Sequence, residues 1–170
     1  MVRARHLLLP LLLCLPLAHA QDPGDHAHGA HQRASSPPDP SPVVVSLAPA
    51  ARAALTRHTI EAEAHGRTLR CEGVSLPALL QASGAMPDNP LRGAHLDRYV
   101  LVTARDGYRA VFSLGELDTT LGNRRVYLVD VCDGAPLDAA SGPLRLLVPD
   151  DARPARGVRQ VERITVVAAP

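Results

Sequence analysis

The chain has 170 residues, 46% of them hydrophobic, enough for one domain with its own core. Its 18 cationic side chains, all arginine, face 17 acidic ones, so no basic excess exists to grip a nucleic-acid backbone. With one phenylalanine, three tyrosines and no tryptophan, the core must be built from Leu, Val and Ala.

Arg3 and Arg5 precede an apolar run over residues 7–17, and Ala18 and Ala20 put small side chains at −3 and −1 of a cut before Gln21. This is the pattern of a secretory signal peptide over residues 1–20. The run is too short for a membrane span of ~20 residues. A periplasmic or secreted protein is expected, with no transmembrane segment once mature. Without Arg3 and Arg5 the mature chain carries one more acidic than basic group. Residues 21–42 are rich in Asp, His, Ser and Pro with almost nothing to bury, which predicts a disordered tether. His26, His28 and His31 within it read either as incidental polar residues or as a loose site for Zn, Cu or Ni.

The domain is expected over residues 43–168. A short strand at 43–47 leads to a helical turn at 48–54. Residues 58–64 alternate, with Ile60 and Ala62 on one face and Thr59, Glu61 and Glu63 on the other, as in a half-buried strand. A turn at 65–67 returns the chain into a strand at 68–72, making a hairpin. Ser75 is placed to cap a helix at 76–82 that Gly84 ends. Strands at 98–104 and 108–112 flank Asp106-Gly107, read as a type I′ turn. Ser113, with Glu116 three residues on, predicts a capping box over a short helix at 114–117. Strands follow at 125–131, ended by Asp133-Gly134, then at 144–148 and 158–167. The fold class is therefore α+β, a mixed β-sheet domain with short helices.

Several groups stand out chemically. Arg153, Arg156 and Arg159, with Arg163 beyond, stud the loop leading into the last strand. Guanidinium groups suit a bidentate grip on phosphate or carboxylate. They read equally as solvated charges paired with Asp150, Asp151 or Glu162. Arg145 lies inside an apolar strand, either facing solvent or holding a carboxylate such as Glu116. Cys71 and Cys132, the two mature cysteines, read as a disulfide in an exported chain or as free thiols on neighbouring strands. Glu61, Glu63 and His65 share a strand face that is either exposed or able to chelate a metal. Tyr108 either presents its hydroxyl at the hairpin tip or packs its ring on the sheet.

The order of these segments resembles the molybdopterin-binding domain of sulfite-oxidase-type oxidoreductases, and especially short exported members that carry that domain alone. The residues that carry the resemblance are Cys71-Glu72-Gly73-Val74-Ser75-Leu76-Pro77, the hairpin from Tyr99 to Leu117, Gly142-Pro143-Leu144-Arg145-Leu146-Leu147-Val148-Pro149, and Ala155-Arg156-Gly157-Val158-Arg159. The resemblance implies a cleft for the pterin, with Arg156 and Arg159, and Arg153 nearby, as its contacts. It also implies a cysteine thiolate on the metal, but Ala64 falls at that position. Pro154 and Gln160 replace a glycine and a tryptophan of the full-size pattern. Cys71 is the remaining candidate thiolate. The expectation is a domain that keeps the frame, holds no molybdenum cofactor, and binds a small anion or a periplasmic protein partner. An active molybdopterin-dependent oxidoreductase is the alternative.

Overall fold

The structure is a computed structural model describing residues 40–64 and 66–170. The segment read as a signal peptide, the histidines of the expected tether and that tether up to residue 39 lie outside the described residues, as does His65. Two antiparallel sheets and a few short helices make an α+β domain. The first sheet has the order β1 (Val43–Val44), β9 (Val161–Ala168), β4 (Arg98–Ala104), β5 (Arg109–Ser113). The second has the order β2 (Arg57–Ala64), β3 (Arg67–Ser75), β6 (Tyr127–Cys132), β7 (Ala135–Pro136), with β8 (Arg145–Leu147) also pairing β6. The helices are α1 (Pro49–Ala53), α2 (Leu76–Ala82) and α3 (Leu114–Leu117).

The alternation read in β2 has its expected outcome, since Ile60 and Ala62 are buried while Glu61 and Glu63 are exposed. β6 shows the same period-two logic on both faces. Leu128 enters a large core with Leu76, Leu79 and Leu80 of α2, Phe112 of β5 and Ile164 of β9. Val129 enters a smaller core with Ile60, Ala62, Cys71 and Leu147. Truncating a fully buried leucine of the larger core to alanine would cost about 2–5 kcal/mol. Gly73 lets β3 bulge against β6, because a Cβ there would overlap the Leu128 carbonyl.

The starts of α2 and α3 follow from their capping residues. Ser75 Oγ accepts from Ala78 N at 3.3 Å, and Pro77 falls in the first turn, where its missing N–H costs nothing. Ser113 and Glu116 form the reciprocal capping box, with Glu116 N donating to Ser113 Oγ and Ser113 N to Glu116 Oε2, each at 3.0 Å.

The turn reading needs correction. At Asp106-Gly107 only Gly107 has a positive φ, +87°. Gly107 N donates to Ala104 O at 3.0 Å and Ala104 N to Tyr108 O at 2.9 Å, which makes a three-residue loop closed by a left-handed glycine. The two-residue turn with both φ positive is instead Asp133-Gly134, at +51° and +79°, between β6 and β7. Residues 40–42 also depart from the tether reading. Arg98 Nη2 donates to the Pro40 carbonyl, and Ala168 N donates to Ser41 Oγ at 3.0 Å, so these residues are held against the first sheet.

Candidate functional site

Arg156, the residue expected to grip an anion, is already enclosed by acceptors. Its Nε and Nη2 donate to Asp151 Oδ2 and Oδ1 at 2.9 and 2.7 Å, and its Nη1 donates to Glu116 Oε1 at 2.8 Å. The guanidinium carbon sits 4.8 Å from the centroid of the Phe112 ring, in cation–π range. Hydrogen bonding to Asp151 first, then to Glu116, raises its pKa against the opposing effect of burial. Glu116, already fixed by the capping box, is therefore the partner of Arg156 and not of Arg145. Tyr108 donates its hydroxyl to the Ala155 carbonyl, which ties the β4–β5 hairpin to the same loop. Arg153 is exposed just ahead of the 3-10 turn Pro154–Arg156. This region is a structural hub.

The other end of the arginine series opens into a cleft. Cross-strand pairing sets Arg145 of β8 opposite Val129 of β6, and Leu146 bridges to Val158 on the other side. Flanked by neighbours, β8 has all three side chains buried. Alternation sends Leu146 into the larger core and leaves Arg145 and Leu147 on the face of the smaller one. The face expected to meet solvent is thus covered, and Arg145 is only 8% exposed. Its Nε has no hydrogen-bond partner, and no carboxylate among the described residues forms a salt bridge with it. Burial lowers its pKa, the charge of Arg159 lowers it further, and Asp138 acts the other way.

Arg145 lines a cleft of about 360 Å³. Arg67 and Leu69 of β3 form one wall and Cys132, Asp133 and Pro136 of the β6–β7 hairpin another. The loop carrying Leu137, Asp138 and Ser141 closes the third side, and Arg159 stands at the exposed rim. That loop is fixed locally: Ser141 N donates to Asp138 Oδ1 at 2.8 Å and Gly142 N to Asp138 O at 2.7 Å. Gly142 is needed there because a Cβ would lie 2.7 Å from that of Leu137.

Cys71 and Cys132 are disulfide-bonded, joining opposed residues of β3 and β6 beside the cleft. In this bond Cys71 offers no thiolate to a metal. Glu63 accepts from Thr68 Oγ1, and among the described residues no group of three His, Cys, Asp or Glu is arranged to hold a metal. The residues assigned to a molybdopterin by resemblance do not fit it. Cys71 is sealed in the disulfide, and the Arg156 guanidinium is taken by Asp151 and Glu116.

Of the arginines singled out in the sequence, the structure brings together Arg159 and Arg145, while Arg156 and Arg153 belong to the hub or the surface. Arg67 and Asp138 carry no signal of their own in the sequence, each being an ordinary charged residue of a turn or loop, and only the topology carries them to one place. No helix among the described residues is long and apolar enough to cross a membrane. No protein-family model matches the chain, and neither does any curated protein.

Proposed function

We propose that this protein is an exported small-anion-binding domain, on a frame like that of the sulfite-oxidase-type molybdopterin domain but without its metal chemistry. The frame reading is supported by the order of the strand, helix and hairpin motifs, and export by the leading apolar run. The observation that carries the binding reading is Arg145. A buried guanidinium that forms no salt bridge among the described residues, in a cleft it shares with Arg159 and Arg67, has a desolvation cost that an oxyanion would offset. The planar fork suits carboxylate, sulfate or phosphate alike. Arg159 at the rim would steer the anion inward, and Arg145 would receive it in the drier interior.

The test is ligand-induced stabilisation of the folded protein. At an anion concentration one hundred times Kd, binding should stabilise the protein by about 2.7 kcal/mol, read as a rise in Tm. Arg145→Met and Arg159→Ala should each diminish the rise, and Arg153→Ala should leave it intact. A rise of equal size in Arg145→Met would overturn the reading.

A further inference from the structure

The cleft holds opposite charges that do not neutralise one another. Arg67, Arg145 and Arg159 line it together with Asp133 and Asp138, yet no salt bridge joins any of these arginines to either aspartate. Elsewhere in this domain arginine and carboxylate find each other readily, as at Arg52 and Arg57 with Asp130, Arg125 with Asp150, and Arg156 with Asp151. The aspartates of the cleft are instead turned to backbone donors. Asp133 Oδ1 accepts from Arg70 N at 3.1 Å and Asp138 Oδ1 from Ser141 N at 2.8 Å, leaving a second carboxylate oxygen on each uncommitted. Cations and anions are thus anchored apart around one volume, with a buried guanidinium at its inner side.

Resting on the anion-binding reading, we infer that the ligand is a small amphoteric molecule, with carboxylate groups for the arginines and an ammonium group for Asp138. Three guanidinium groups and two carboxylates leave the wall one unit positive. That charge matches an acidic amino acid, with two carboxylates and one ammonium, better than a polyanion. A polyanion would face the two exposed aspartates with no cation of its own to offset them, and like charges at close range repel. Asp138 acts here as the selector: it adds little to the grip on the anionic end but rewards the ligand that carries a cation at the other. Ser141, whose backbone N–H orients that carboxylate, is the positioning residue.

The experiment is titration calorimetry on the full chain with glutamate, with glutarate, which differs by lacking the ammonium group, and with sulfate. Glutamate should bind at least about 10-fold more tightly than glutarate or sulfate, equivalent to about 1.4 kcal/mol. Asp138→Asn keeps an oxygen for the Ser141 N–H, so the loop is retained, and it should weaken glutamate while leaving glutarate as tight or tighter, so that the preference for glutamate is lost. If glutarate or sulfate binds as tightly as glutamate, or Asp138→Asn weakens all three equally, the amphoteric ligand is ruled out while the anion site stands. If none of the three binds, the anion site itself is lost.

Discussion

Arg156 is ringed by acceptors, whereas Arg145 is more deeply buried and has none among the described residues. Around Arg156 two carboxylates take three of the five N–H donors and an aromatic ring lies under the guanidinium, and the result is a rivet between α3, β5 and the loop before β9. Around Arg145 the neighbours are a second arginine, aliphatic side chains and an aspartate that does not reach it. A folded chain tolerates an unmet buried charge poorly, so where one persists it marks a place shaped by something other than stability. The contrast teaches which arginines to discount: the one with ideal partners is finished structurally, and the one without them is the candidate for binding.

The largest test of this contrast removes the covalent support of the cleft side. Replacing Cys71 and Cys132 together with serine should lower stability by about 2–4 kcal/mol in denaturant unfolding, since the bond closes a loop with a sequence separation of 61. A negligible loss would mean that the sheet alone holds the cleft wall. Next, Arg156→Ala should cost about 2 kcal/mol, reduced from the fully buried case because a third of the side chain is exposed. Arg156→Lys should recover only part of that, because an ammonium cannot reproduce the fork.

Arg145→Met is expected to move the other way, raising stability by about 1 kcal/mol in ligand-free protein by relieving an uncompensated charge. A guanidinium is not deprotonated in proteins, so the charged form of Arg145 is present, and costly, at every ordinary pH. The gain from Arg145→Met should therefore be the same at pH 5 and pH 8. A loss of stability instead would erase the distinction between the two arginines.

The smallest effect lies in acid. Burial favours protonation of Asp130, but hydrogen bonds and charge from Arg57 and Arg52 outweigh it, and its pKa is lowered. A carboxyl depressed on folding stabilises above its unfolded pKa of about 4 and loses that contribution as pH falls through the folded value. Asp130→Asn should flatten the acid limb of the stability curve below about pH 4, by less than about 1 kcal/mol.

Much of the scaffold was legible in the residues. The helix at 76–82 and the strand at 98–104 follow from Ser75, Gly84 and a run of β-branched residues, each a local signal. Turn type was not, because two Asp-Gly pairs look alike in sequence. The strands around them decide whether one or both residues take a positive φ, and only Asp133-Gly134 sits in a two-residue loop. The site was half legible for a similar reason. Arg159 drew notice by density of charge, but the burial of Arg145 depends on β8 being flanked by β6 and Val158, a long-range fact. Cys71 and Cys132 become partners through the same non-local pairing of β3 with β6.

One further feature bears on how this domain can be deployed. β1 pairs with β9, setting Val43 opposite Val166, and Ser41 receives the amide of Ala168. Entry and exit of the folded unit are therefore side by side. A unit with that geometry can be spliced into a surface loop of an unrelated host without prising the loop apart.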